Sequence, residues 1–89
     1  MTNVKFPVID LVATGRNIKR LRKANHLSVP EMKEYFNFSS TQAIYKWQKG
    51  QSLPTTDNLV ALSVLFNTPM EDILILGFYK LNKKHGVAG

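Results

Sequence analysis

Cysteine is absent from this 89-residue chain. Neither a disulfide framework nor a Cys-based zinc site can be built, and the absence fits a cytoplasmic location. Carboxylates are scarce as well: six Asp and Glu face twelve Lys and Arg, leaving a net charge of +6 and a pI near 9.9. An excess of this size is the footprint of a partner rich in phosphate, although anionic membrane surfaces attract it too. No stretch approaches the run of about 18 apolar residues that a membrane span needs, and the N-terminus lacks the charged-then-apolar layout of a signal peptide. The two histidines, His26 and His85, lie far apart and form no metal-ligand cluster, and there is no Gly-rich phosphate loop. These absences predict a non-enzymatic chain with no cofactor, no metal, no small-molecule substrate and no membrane role. There is no internal repeat or low-complexity segment.

What is present is an ordinary apolar share of 44%, enough for one domain with one core. Residues 1–13 form a separate arm, in which Val4, Phe6, Val8 and Ile9 partly alternate with polar residues around Pro7. That pattern predicts an extended segment, lying against its own domain or against a partner subunit. The domain proper runs over 14–76. Thr14 is the expected N-cap of a first helix, Gly15 to about Lys23, with Ile18, Leu21 and Ala24 facing inward and Arg16, Lys19, Arg20, Arg22 and Lys23 around the rest. Five cations with no carboxylate in the helix make phosphate contact as strong a reading as a plain solvated face. Asn25 and His26 stop it.

Ser28-Val29-Pro30-Glu31 announces a second helix through a capping box and an early proline. Met32, Tyr35 and Phe36 form its core stripe, and Asn37 suits the sharp turn that ends it. Phe38 is expected to plug into the core from that turn. Ser39 with Gln42 offers a second capping box, with Ser40 as the other possible N-cap, and Gly50 closes the third helix. Thr55 or Thr56 caps a fourth helix to about Phe66, the hydrophobic floor of the domain. Thr68-Pro69-Met70-Glu71 repeats the Ser28 pattern and starts a short fifth helix ending at Gly77. The tail, 77–89, is expected to fray beyond Leu81. The fold class predicted is all-α, with five short helices.

The third helix carries the functional reading. Ala43, Ile44 and Trp47 share one side of it, leaving Thr41, Gln42, Tyr45, Lys46 and Lys49 on the other. A short helix, a turn of about three or four residues and a second amphipathic helix make a helix-turn-helix, whose second member enters the major groove. A Gln reads adenine and a Lys reads guanine through the groove edges of the bases. Tyr45 can reach a phosphate or a thymine methyl, or simply cover Ile44. For Thr41 and Gln42 the competing role is plain helix capping.

The ordered series Ile18-Lys19-Arg20-Leu21-Arg22, Leu27-Ser28, Ile44 through Gly50, Pro54, Leu59 through Leu62 and Glu71-Asp72-Ile73-Leu74 resembles the Cro and phage-repressor helix-turn-helix family, over roughly Gly15 to Leu74. The resemblance implies a compact five-helix bundle of the repressor-like type. It further implies a prokaryotic or phage transcriptional regulator that binds near-palindromic double-stranded DNA as a homodimer. Carried over by position, base-reading falls on Thr41, Gln42 and Lys46, with Tyr45 beside them. Phosphate binding falls on Ser40, on helix 1 (Lys19, Arg20, Arg22, Lys23) and after helix 3 (Lys49). Val29, Lys33 and Asn37 depart from the family pattern, which has Gln, a small residue and Gly there, and the turn is about one residue longer. A rival reading is a protein-interaction or antitoxin-like module in which DNA binding is secondary.

Overall fold

The computed structural model describes residues 5–80, so the expected fraying beyond Leu81 lies outside the described residues. Five helices fold in the predicted order: α1 Leu11–Ala24, α2 Val29–Phe36, α3 Gln42–Gln48, α4 Thr56–Phe66 and α5 Met70–Ile73. The all-α expectation needs one correction. The N-terminal arm is a strand, β1 Lys5–Ile9, and it pairs antiparallel with β2 Leu76–Lys80, in the register Phe6↔Tyr79, Pro7↔Phe78 and Ile9↔Leu76. The arm therefore lies against its own chain. Each half of this ribbon is short and only partly alternating, so the pattern of one strand does not reveal a partner at the other end of the sequence.

The start of α1 is also earlier than expected, because Asp10 and not Thr14 is the N-cap. The Asp10 Oδ1 accepts from the Ala13 N–H at 2.9 Å. Thr14 is fully buried in the first turn, where its Oγ1 accepts from the Ile75 N–H at 2.9 Å and pins the segment after α5 to α1. At the other end it is His26, with φ 57°, that takes the left-handed conformation, while the Asn25 side chain donates to the Leu21 carbonyl. Ala24 is exposed, one turn beyond the core.

Local chemistry sets α2. Ser28 Oγ accepts from the Glu31 N–H at 3.1 Å and the Glu31 carboxylate accepts from the Ser28 N–H at 2.7 Å, completing the capping box. The Ser28 backbone N–H, and secondarily the Ser28 hydroxyl, stabilise the charged Glu31 carboxylate and hold it below its ordinary value of 4.5. A depressed folded-state pKa contributes stability above the unfolded value and loses it as pH falls through the folded one. Thermal melts of Glu31→Gln should therefore converge on wild type in acid and diverge above about pH 4.5, the ordinary value for the group. Ser28→Ala should cost about 1 kcal/mol at neutral pH by denaturant titration. Asn37 ends α2 with φ 57°, supplying the left-handed residue the turn requires without a glycine.

Helix α3 begins at Gln42, so the turn spans 37–41, one residue beyond a three- or four-residue turn, in line with the longer turn expected here. The Ser39–Gln42 capping box does not form. Thr41 occupies the N-cap position without a side-chain bond, and Ser40 Oγ accepts from the Gln42 N–H at 3.3 Å. Thr55 caps α4 as one of the two expected choices, accepting from the Asn58 N–H. The second Thr-Pro box also fails: Pro69 is the N-cap of α5, and Thr68 donates instead to the Phe66 carbonyl at 2.9 Å. With no cap of its own and an extended Leu74 behind it, α5 is a single turn and the chain leaves it for β2.

Every helix contributes to one core. Ile18 and Leu21 come from α1, Val29 and Met32 from α2, Ile44 and Trp47 from α3, Leu62 and Phe66 from α4, and Ile73 from α5. Phe38 enters from the turn as expected, stacking on Phe36 with ring centroids 5.1 Å apart. Both rings meet Trp47 edge-on, at 5.5 Å and 5.9 Å. Tyr35 departs from the expected stripe: it is exposed, and its hydroxyl donates to the Ala61 carbonyl, tying α2 to α4.

Candidate nucleic-acid interface

The α3 helix is held by its buried side and by its C-terminal end. Ile44 is 0% and Trp47 3% exposed, and the remaining side is left to Gln42, Tyr45 and Lys46, all exposed, with Lys49 at the C-cap. These four recur at i, i+3, i+4 and i+7, so a single solvent-facing stripe carries an amide, a phenol and two ammonium groups. Thr41 is half-buried at the head of the helix.

Two glycines bring α1 against the end of this helix. A Cβ on Gly15 would lie 2.4 Å from the Trp47 carbonyl oxygen and 2.7 Å from that of Gln48, so α1 and α3 approach backbone to backbone. Gly50 has φ +73° and a built Cβ there would meet the Val12 Cα at 2.8 Å. The glycine ending α3 thus serves a helix stop and a close contact together. The spacing of apolar residues gave no sign of the Gly15 contact.

Arg22 fastens the same junction. Its Nε donates to Gln48 Oε1 at 2.9 Å and its Nη1 to the Leu27 carbonyl at 2.8 Å, so this cation links α1, the following turn and α3. Arg20 lies on a different side of α1. It donates twice to Asn17 Oδ1, at 3.1 and 2.7 Å. The buried Asn17 in turn donates to the Asp72 and Ile73 carbonyls, satisfying the end of α5. Lys19, Lys23, Lys46 and Lys49 are exposed. By helix geometry Lys19 falls near the Gly15–Arg22 line that abuts α3, and Arg20 falls close to the opposite side. Of the expected phosphate contacts, then, Lys49 lies in the stripe itself, Lys19 is exposed on the side of α1 that abuts α3, and the guanidinium groups of Arg20 and Arg22 are hydrogen-bonded within the fold.

At the head of α3 a shallow cleft of about 300 Å³ brings together Ser40, Gln42 and Lys46 with Ser39 and Ser52. Ser52 is the member that sequence reasoning did not single out. Its only signal is a hydroxyl two residues past the glycine that ends the helix. The cleft combines hydroxyls, one amide and one ammonium, which is the chemistry that binds a phosphodiester oxygen or a base edge.

Among the described residues no group of His, Asp and Glu is placed to hold a metal ion, and no helix is long and apolar enough to cross a membrane. No curated protein matches the chain. Among solved structures, the fold is similar to the crystal structure of the DNA-binding domain of BldD and to the structure of the S. venezulae BldD DNA-binding domain. Both align at a TM-score of 0.63 and 16% identity over 74% of this chain, covering 94% and 97% of the two domains. The helix-turn-helix family matches residues 18–73, from the core stripe of α1 to the end of α5, a span that includes α2, the turn and the whole of α3. The chain belongs to the Cro/C1-type helix-turn-helix family of DNA-binding proteins.

Proposed function

We propose that this chain is a sequence-specific regulator of transcription that binds double-stranded DNA with α3 in the major groove, as a homodimer on a near-palindromic site in the cytoplasm of a prokaryotic or phage-infected cell. The observation that carries this reading is the exposed stripe Gln42, Tyr45, Lys46 and Lys49 on a helix whose other side is locked into the core. Gln42 and Lys46, with Thr41 and Tyr45 beside them, read bases. Ser40, Ser52, Lys19, Lys23 and Lys49 take phosphates, and Arg20 and Arg22 add to the positive field while bracing α1. The two BldD structures are of DNA-binding domains, which supports the same reading.

Selection of bound duplexes from a random pool tests it, with enrichment of a half-sequence repeated about a two-fold axis as the expected result. Gln42→Ala should then lose about 1–3 kcal/mol on the selected site and little on random duplex, whereas Lys49→Ala should weaken both. Equal losses of Gln42→Ala on the two duplexes would remove it from base reading. Affinity for random duplex should fall steeply with salt, and a flat response would favour a protein-interaction module instead.

A further inference from the structure

Helix α4 is apolar on more sides than the core uses. Between Asn58 and Asn67 its one polar residue is Ser63, and while Leu62 and Phe66 are buried, Val60 is 46% and Val64 70% exposed. A helix hydrophobic all round is ordinarily covered all round. Val60 and Val64 stand at i and i+4 and form one outward ridge, with the small Ala61 leaving a step at its flank. Tyr35 of α2 borders that step. Its hydroxyl donates to the Ala61 carbonyl at 3.2 Å, its ring meets Phe36 edge-on at 5.1 Å, and it remains 45% exposed. Apolar side chains scattered singly over a surface need no explanation, whereas contiguous ones mark contact sites. These are also stiff: a helical valine has one favoured rotamer and the Tyr35 ring is held at both ends, so little freedom is lost when they are covered.

The charge around the patch has the opposite sign to that of the chain. From Gly50 to Tyr79 there is no Lys or Arg, and Asp57, Glu71 and Asp72 fall in that span. Two carboxylates edge the patch itself. Asp57 lies one turn before Val60 and Ala61, Glu31 lies one turn before Tyr35, and both are exposed. The cation of α2, Lys33, falls on the far side of that helix from Tyr35 by helix geometry. The chain's net charge of +6 is thus gathered elsewhere, mainly on α1 and α3.

We infer that the surface formed by Tyr35, Val60, Ala61 and Val64 is a docking site for a basic amphipathic helix of a partner protein. Charge complementarity decides the occupant. DNA and anionic lipid carry the same sign as Asp57 and Glu31, and a second copy seated on the same patch would bring these carboxylates toward their own equivalents. Both are disfavoured. A helix with apolar residues at i and i+3 or i+4 fits its ridge over the step at Ala61, and lysines or arginines beside that ridge reach Glu31 and Asp57. Three exposed side chains place the complex at the small, transient end of protein interfaces. The docking surface shares no residue with the stripe on α3, and α4 does not pack extensively on α3, so partner and DNA are held together.

The probe is a synthetic helix of about 18 residues with leucine at helical spacing and lysine beside it, and a Leu/Glu peptide of the same pattern is the control. Each is titrated into the isotope-labelled full chain and followed by amide chemical shifts. With the Leu/Lys peptide the shifts should saturate and centre on Tyr35, Ala61 and Val64, and the Leu/Glu peptide should bind about tenfold more weakly. Val64→Ser should weaken the Leu/Lys complex about tenfold, and Asp57→Asn about threefold. Serine and valine have similar helix propensity, so an unchanged thermal melt of Val64→Ser shows that the domain is folded in that comparison. Shifts that do not saturate, that spread over the surface or that centre on Glu71 and Asp72 would overturn the proposal. So would equal binding of the two peptides, or undiminished binding to Val64→Ser. Self-association of the wild type that Val64→Ser abolishes would make a second copy the occupant and overturn it as well. DNA affinity of Val64→Ser, measured without peptide, should equal that of the wild type, so a failure of the DNA reading shows there and leaves the titration standing.

Discussion

Gly15→Ala is expected to lower the stability of this domain by about 3 kcal/mol, the upper end of the usual overpacking range, and to lower the melting temperature accordingly. At roughly 4–8 °C per kcal/mol for a domain of this size, the fall is on the order of 12–24 °C by circular dichroism. The direction is opposite to helix propensity, by which alanine inside a helix gains about 1 kcal/mol over glycine. Geometry decides between the two effects. The new methyl would meet two backbone carbonyl oxygens, at 2.4 Å and 2.7 Å, and the Gly50 nitrogen at 2.9 Å. None of these is the end of a side chain that can rotate away, so relief comes only by moving α1 off the end of α3. A melting temperature equal to or above wild type would show that the two helices do not approach this closely. Because the same movement shifts α3 relative to α1, site-specific DNA affinity of any folded Gly15→Ala protein should fall too.

Trp47→Ala should cost about 3–5 kcal/mol, the range for removing a large buried aromatic ring. A small domain has a total stability near the lower end of about 5–15 kcal/mol, so the variant should be largely unfolded at 37 °C. The ring is only 3% exposed and has Phe36 and Phe38 edge-on against it, so its loss opens a cavity between α2, the turn and α3. Tyr45→Ala, two residues earlier, provides the contrast. That side chain is 45% exposed on the opposite stripe, and its removal should change stability by no more than about 0.5 kcal/mol. Chemical denaturation of the two variants, read by far-UV circular dichroism, separates the buried face of α3 from its open one. Similar losses in both would mean that α3 lacks the two-faced character on which the DNA reading depends.

How far the sequence alone reaches differs from element to element. The Ser28–Glu31 box, Pro30, Asn37 and Gly50 each act on backbone groups within a few residues, and each appears in the fold where its chemistry requires. The apolar faces of α1, α3 and α4 were legible because burial repeats with the helical period, which made the five helices and the opposed faces of α3 readable. Where two local signals competed, the sequence pointed to the wrong one. Asp10 and Thr14 both suit an N-cap, and the fold uses Asp10 because Thr14 is needed at Ile75. Thr68 had the right spacing for a cap, yet its hydroxyl turns back to Phe66.

The sequence by itself determined the helical domain, its basic character and the helix that presents Gln42, Tyr45 and Lys46, because caps, periodicity and charge are properties of neighbouring residues. Only the tertiary structure decided that residues 5–9 pair with 76–80, that Gly15 lets two backbones touch, that Asn17 closes α5, and that Arg22 braces α3. Each of those joins groups distant along the chain, and what selects them is the shape left once the core has formed.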